Sequence, residues 1–124
     1  MQKLPREDST YSWTYHVVEK MQYYGISEGR IRRIIRHPSR VEEGIAPQTV
    51  AVMQPAGTKR YQEMWVMYKL VGRGQRAGSQ LKAHSSKLIE KPKIKVITAW
   101  RYPGKSPERD PVPRGVMEEV RRLL

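Results

Sequence analysis

The chain has 124 residues, enough for one domain with a single hydrophobic core. It contains no cysteine, which excludes disulfide bonds and cysteine-based zinc sites. Its 24 Lys and Arg residues against 12 Asp and Glu give a formal net charge of +12, which points to a polyanionic partner. Nucleic acid is the first candidate and an acidic protein the second, while the alternative is a solvated surface without a partner.

No apolar run in the sequence reaches the ~20 residues that span a bilayer. The first ten residues are polar and lack the apolar segment of a signal peptide. We therefore expect a cytoplasmic protein without a membrane partner. Residues 1–11 are predicted to form a flexible arm and residues 12–124 a single α+β domain.

An amphipathic helix is predicted first, over residues 13–24. Four apolar residues spaced by four, four and three share one helical face, namely Trp13, Val17, Met21 and Tyr24. Ser12 is the expected N-cap because its hydroxyl accepts a bond from a free backbone N–H of the first turn. Gly25 is expected to end the helix because it adopts positive φ without a Cβ clash.

A second helix is predicted to begin after Ser27 and to end before Pro38. Ile26 and Ile31 have the spacing of a hydrophobic staple, which fixes the entry angle of the chain. The opposite face is almost purely cationic and carries Arg30, Arg32, Arg33 and Arg36. This face either follows a nucleic-acid backbone or is simply solvated.

The remaining chain favours sheet. Alternating and continuous apolar patterns predict strands over residues 48–54, 61–71 and 93–102, and either a strand or a loop over 39–45. A last helix is predicted from Pro113 to Leu124, because Pro suits the first turn of a helix. Helices followed by consecutive strands indicate an α+β fold. We therefore expect an N-terminal helical hairpin packed on a three- to four-stranded antiparallel sheet, with a C-terminal helix.

A connection without periodicity lies between the last two predicted strands, at residues 72–92. Loops of this length are uncommon inside compact domains and are either functional or disordered. Its five basic residues accompany a single acid, Glu90, so the segment is expected to be a mobile basic loop. It either contacts phosphates or is a tolerated insertion.

A pattern of residues also suggests a family. It consists of a His, a basic residue and Met, a Gly-Ile-Ser turn, an aliphatic helix, a Pro and a late Val-Ile-Thr run, here His16, Lys20, Met21, Gly25, Ile26, Ser27, Ile31, Ile35, Pro38, Val96, Ile97 and Thr98. In this the chain resembles small uncharacterised domains grouped with the RelE and ParE toxins and the barnase-like ribonucleases. The Arg that those domains usually carry before the Gly is Tyr24 here, so a phosphate contact made by that Arg is either missing or taken over by Arg30 or Lys20.

The resemblance implies a RelE-like fold and a toxin-like, metal-independent ribonuclease that cleaves RNA by 2′-hydroxyl attack without a cofactor. Fold alone does not decide function, so two alternatives stay open. One is a non-catalytic nucleic-acid-binding module. The other is a ParE-like toxin that acts on a protein target, with an acidic antitoxin as its partner.

Metal-free RNA cleavage needs groups that accept and donate a proton, and cations on the phosphate. His16 suits the first task because the unperturbed pKa of imidazole lies near working pH, and it lies at the edge of the apolar stripe one turn before Lys20. The alternative is a boundary histidine bonded to backbone or solvent. Arg101, at the end of the last strand, is the predicted phosphate clamp.

Lys20 and Lys95 are expected to join the arginine face in contacting nucleic acid. Alternation along the last strand places Lys95 and Arg101 on one face and Thr98 on the other, unless the strand bulges. The three histidines of the chain lack any tight ligand spacing, so no metal site is expected.

Overall fold

The computed structural model describes residues 5–44, 48–72, 92–107 and Glu118. The elements in these ranges are β1 (Tyr11–Trp13), α1 (Tyr15–Tyr24), α2 (Glu28–Arg36), β2 (Arg40–Glu43), β3 (Thr49–Pro55), β4 (Gln62–Val71) and β5 (Lys93–Pro103). The strands form one sheet in the order β1-β5-β4-β3-β2. Strands β1 and β5 are parallel, and the other neighbouring pairs are antiparallel. The helices of this part of the chain are too short or too polar to cross a membrane.

The predicted helical hairpin on a three- to four-stranded antiparallel sheet, and with it the RelE-like arrangement, is wrong. The sheet has five strands, one pair is parallel, and the helices follow a strand instead of opening the fold. Strand β1 escapes prediction because three residues are too few to show alternation, and because Trp13 also fits a helical spacing with Val17.

Two predicted segments lie largely outside the described residues. Of the C-terminal helix predicted over 113–124, only Glu118 is described, and it is helical and exposed. Of the mobile basic loop predicted at 72–92, only Gly72 and Pro92 are described.

Helix α1 begins two residues later than predicted. Thr14, not Ser12, is its N-cap, and the Thr14 hydroxyl accepts a hydrogen bond from the Val17 N–H at 3.0 Å. The same hydroxyl donates to the carbonyl of Ile97 in β5 at 2.8 Å. Gly25, with φ 68°, ends the helix as predicted. The start of α1 is therefore bonded directly to the strand beneath it.

The prediction for α2 is confirmed. Ser27 is the N-cap and accepts a bond from the Arg30 N–H at 3.1 Å. The amide of Gln54 in β3 donates to the carbonyls of Arg33 and His37 at 3.3 and 2.9 Å. The Arg33 carbonyl also accepts from the His37 N–H at 2.8 Å, whereas the His37 carbonyl lies beyond the last turn of the helix. The two bonds from Gln54 hold the end of α2 against β3.

The sheet buries apolar residues on both faces. Under the two helices the sheet contributes Val52, Met64, Val66, Val96 and Ala99 to one cluster. The opposite face carries a second cluster in which the rings of Trp65 and Trp100 stack with centroids 5.8 Å apart. The reading of residues 61–71 as a strand buried on both sides is confirmed for Met64 to Met67, each of which is buried.

A β-bulge in β5 changes which side chains face the helices. Met67 pairs with Thr98 but its neighbour Tyr68 pairs with Val96, so Ile97 is an additional residue in β5. Val96 before the bulge and Arg101 after it both lie on the helix side. Lys95 precedes Val96 and therefore lies on the opposite face, so the prediction that Lys95 and Arg101 share a face is wrong.

The residues before β1 are tied to the fold. The carboxylate of Asp8 accepts bonds from the backbone N–H groups of Thr10 and Tyr11 at 2.9 and 2.8 Å. These bonds, that of Tyr11 above all, lower the pKa of Asp8. Tyr11, the last residue of the predicted arm, is a buried residue of β1 and is 2% exposed.

A buried carboxylate joins β4 to the segment after β5. Glu63 is 0% exposed, and its two oxygens accept bonds from Trp65 Nε1 at 2.9 Å, Ser106 Oγ at 2.6 Å and the Tyr61 hydroxyl at 3.0 Å. The guanidinium of Arg40 in β2 lies 3.7 Å from Glu63 and donates to Ser106 Oγ at 2.9 Å. Burial acts to raise the pKa of Glu63, but the hydrogen bonds from Ser106, Trp65 and Tyr61 outweigh burial and lower it.

We expect the substitution Glu63→Ala to lower the free energy of unfolding by roughly 3 kcal/mol, because it leaves buried donors without their acceptor. Urea denaturation of the two proteins measures the difference. The exposed Glu43 of β2 is the matched control, and Glu43→Ala should cost less than about 0.5 kcal/mol. Equal losses for the two variants would contradict a structural role of the Glu63 network.

The lowered pKa of Glu63 predicts a loss of stability in acid. A carboxyl whose pKa is lower in the folded state contributes its full stabilisation above the unfolded pKa, and loses it as the pH falls through the folded pKa. The free energy of unfolding should therefore fall as the pH drops below about 5, and fall less steeply in Glu63→Gln than in the wild type. The Glu43→Gln variant should keep the wild-type slope, and a wild-type slope in Glu63→Gln would refute the assignment.

Candidate functional site

The arginines of α2 differ sharply in their surroundings. Arg32 donates from Nε to Glu28 at 2.9 Å and from Nη2 to Asp8 at 3.3 Å. Its guanidinium also lies 4.4 Å from the ring centroid of Tyr11. Burial acts to lower the pKa of Arg32, but the carboxylates of Glu28 and Asp8 outweigh it and raise the pKa. Arg32 therefore joins the residues around β1 to α2, and its predicted role in nucleic-acid contact finds no support.

Arg30, two residues earlier on the same helix, has no such compensation. Its side chain is partly buried, and its Nη2 donates to the carbonyl of Pro55 at the end of β3. Its Nε is buried and has no hydrogen-bond partner among the described residues. Burial lowers the pKa of Arg30, and the positive charges of Arg33 and Arg101 lower it further.

Arg101 of β5 is anchored next to the point at which Arg30 is anchored. Arg30 binds the carbonyl of Pro55, Arg101 binds Gln62, and the Ala56 N–H after Pro55 donates to the Gln62 carbonyl at 2.9 Å. The Arg101 Nε donates to the carbonyl of Tyr24, the last residue of α1, at 2.8 Å. Its Nη1 donates to the side-chain oxygen of Gln62, at the start of β4, at 3.1 Å. A cation bonded to a terminal carbonyl also suits the negative end of the α1 dipole. These two bonds hold the guanidinium in one orientation, and its Nη2 makes no bond to a described residue.

We call Arg30, Arg33 and Arg101 the arginine cluster. Within the described ranges no carboxylate forms an ion pair with any of the three. Like charges held close together at a partly dry site disfavour one another. Burial first, and then the charges of Arg33 and Arg101, lower the pKa of Arg30. The cluster is therefore electrostatically suited to an anion.

Further basic residues lie around the arginine cluster. Arg36, which follows Arg33 by three residues on α2, is exposed. The connection between β3 and β4 follows Pro55 and precedes Gln62, both of which contact the cluster, and it carries the exposed Lys59 and Arg60. Lys59 and Arg60 are adjacent in the sequence between two predicted strands, and this basic pair is the signal by which the sequence could have indicated them.

His16 lies at the other end of α1. With Glu19, Lys20, Gln22 and Tyr23 it lines a surface depression of about 450 Å³. The ammonium of Lys20 lies 5.6 Å from the ring centroid of Tyr23. Sequence analysis predicted that His16 and Lys20 are neighbours, and the structure does bring them to one depression.

The two predicted catalytic residues, His16 and Arg101, are not brought together. Arg101 binds the carbonyl of Tyr24, which is eight residues and therefore about 12 Å along the helix axis from His16. Lys95 is exposed on the other face of the sheet, and six residues of strand place it about 20 Å from Arg101. Of the eight predicted site residues, three form the arginine cluster. The five that lie outside it are His16, Lys20, Arg32, Arg36 and Lys95.

The described residues contain no group of three or more His, Asp or Glu side chains placed to hold a metal ion. Comparison of the chain with family models, curated proteins and solved structures gives no match. The function is therefore argued from the residues of the chain itself.

Proposed function

We propose that this protein binds nucleic acid, RNA in the first place, through the surface formed by the arginine cluster and the basic residues around it. The observation that carries the proposal is the partly buried Arg30, which lies beside Arg33 and Arg101 and has no carboxylate partner in the described ranges. A phosphate supplies the missing negative charge and several acceptor oxygens at once. Guanidinium groups are the donors best matched to that geometry.

The charges around the arginine cluster support contact with more than one phosphate. Arg36 on α2 and Lys59 and Arg60 in the β3–β4 connection are all exposed and basic. Each contact with a phosphate releases counterions, which makes binding strongly dependent on salt. We also propose a cytoplasmic location, where RNA is abundant.

Two exposed aromatic residues favour single-stranded over double-stranded nucleic acid. Tyr15 is 93% and Tyr23 77% exposed, both on α1. Unpaired bases stack on exposed aromatic rings, and such stacking tolerates different sequences. Tyr23 immediately precedes Tyr24, whose carbonyl binds Arg101, so a strand held at the arginine cluster passes close to this ring.

RNA cleavage is a second candidate, supported by the depression that brings His16, Lys20 and Glu19 together. An imidazole beside an ammonium provides one group for proton transfer and one for charge stabilisation. The separation of His16 from Arg101 argues against their acting on the same phosphate. Cleavage would therefore rely on Lys20, not on Arg101, to balance the charge at the reacting phosphate.

The binding proposal predicts the effect of a charge-removing double variant. Arg33→Gln with Arg36→Gln should weaken binding of a fluorescent single-stranded RNA and reduce the slope of log K against log salt by about 1.4. Fluorescence anisotropy at several salt concentrations measures both. The control is Lys69→Gln with Lys95→Gln. These two lysines lie at directly opposite positions of β4 and β5, on the face of the sheet away from the helices, so the variant also removes two positive charges.

Equal losses in the two double variants would mean general attraction to a basic protein and would contradict a localised surface. No binding of RNA by the wild type would refute the proposal. Binding of an acidic protein in place of RNA, such as the antitoxin that the toxin resemblance suggests, would assign the same surface to a protein partner.

The cleavage candidate predicts loss of RNA integrity on incubation with the protein. Chelator-resistant cleavage should be present in the wild type, abolished in His16→Ala and retained in Gln22→Ala, the matched change within the same depression. Gel electrophoresis of the RNA is the measurement. Intact RNA with the wild type would eliminate this candidate while leaving the binding proposal standing.

A further inference from the structure

We propose that the arginine cluster is a discrete site for one phosphate group, held between Arg30 of α2 and Arg101 of β5 with Arg33 at its outer edge. This inference rests on the proposed function for the source of the phosphate, a nucleic-acid backbone. A backbone phosphate and free inorganic phosphate are both tetrahedral oxyanions, so the site suits either. Such a site differs from diffuse electrostatic attraction to a basic surface because specific guanidinium atoms donate to the phosphate.

Arg101 supplies the fixed side of the site. Two bonds, to the Tyr24 carbonyl and to Gln62, orient its guanidinium and leave Nη2 available. The elements that hold it are the end of α1 and the first residue of β4, so both anchoring points belong to regular secondary structure. A donor oriented before the ligand arrives loses little conformational freedom on binding.

Arg30 supplies the adaptable side. It has one side-chain bond, to the Pro55 carbonyl, and a buried Nε that has no partner in the described part of the chain. Most buried N–H groups in proteins are hydrogen-bonded, and a group left without a partner carries a desolvation cost. A small rotation of the side chain towards an anion would relieve this cost and the repulsion from Arg33 and Arg101 together.

A phosphate suits the arginine cluster better than a carboxylate does. The three guanidiniums come from two different elements, one helix and one strand, so their donors approach an anion from more than one direction. A carboxylate has two oxygens in one plane and matches a single guanidinium fork. A phosphate offers oxygens in several directions and can accept from two or three guanidiniums.

The test is an NMR titration of the full chain, labelled with ¹⁵N at arginine, with inorganic phosphate at constant ionic strength. The Nε–Hε signals of Arg30 and Arg101 should shift and saturate together. The signal of Arg32, which is already bound to Glu28 and Asp8, should stay in place as an internal control. The change Arg30→Gln should weaken phosphate binding about tenfold or more.

Lys95→Gln is the charge control, because Lys95 lies on the opposite face about 20 Å from Arg101 along β5. It should bind phosphate as the wild type does. A short single-stranded RNA should shift the same two signals and displace the phosphate, which would identify the source as a nucleic-acid backbone. If Arg30→Gln unfolds, as loss of amide signal dispersion would show, the wild-type titration and the displacement by RNA still decide the question.

Three outcomes separate this inference from the proposed function. If RNA binds but the Arg30 and Arg101 signals do not move, the phosphate site is refuted and nucleic-acid binding stands. If phosphate saturates the site but RNA does not bind, the site stands and the proposed function fails. If all exposed arginines shift linearly, and chloride has the same effect, only screening is present and the site is refuted.

Discussion

The β-bulge at Ile97 is the local feature on which the arrangement of the site depends. It changes the phase of β5, so that Val96 and Arg101 both lie towards the helices although five residues separate them. The carbonyl of Ile97 accepts the bond from Thr14 that holds the start of α1, and Arg101 binds the carbonyl at its end. Helix α1 is thus attached to one strand at both termini. Without the bulge, strand alternation would place Arg101 on the face opposite the helices.

The described carboxylates that form ion pairs do so with basic residues outside the arginine cluster. In the described ranges, ion pairs join Arg32 to Asp8 and Glu28, Arg40 to Glu42 and Glu63, and Lys93 to Glu7. These pairs join β1 to α2, hold Arg40 of β2 against β4, and join the start of β5 to the residues before β1. The arginine cluster lies elsewhere, at the junction of the end of α1, α2 and the ends of β3 and β5. Within the described ranges, basic residues therefore divide into those with a carboxylate partner and those without one, and the arginine cluster belongs to the second group. A basic group without a carboxylate partner suits an anionic ligand.

Local signals in the sequence predicted local structure well. Ser27 and Gly25 were identified as helix boundaries because capping depends on residues three or four positions apart. Three features were not predictable in this way. Strand β1 is too short for a periodic pattern, the bulge at Ile97 is decided by pairing with β4, and the bonds of Arg101 to Tyr24 and Gln62 join residues 77 and 39 positions apart.

The same limit applies to the predicted site. Arg101 was a predicted site residue because a side chain at a strand end can change direction, and His16 because imidazole can transfer protons. The spacing of the two residues in the sequence does not give the distance between them in the fold. The sequence pattern likewise does not distinguish the four arginines of α2 from one another. The structure separates Arg32, which is neutralised by Asp8 and Glu28, from Arg30, which is not. Burial and partners distinguish these residues, and both depend on tertiary packing.

The separation of His16 from the arginine cluster limits what the protein can do to one phosphate. A general acid or base must lie within hydrogen-bond reach of the proton that it transfers. At about 12 Å along α1, a phosphate bound by Arg101 is too far away for His16 to act on the same group. Any chemistry at His16 would involve a different nucleotide of the same strand, with the arginine cluster acting as an anchor. Because Arg101 also holds the end of α1, its loss would disturb fold and binding together, whereas Arg30 makes one side-chain bond among the described residues and reports on binding more directly.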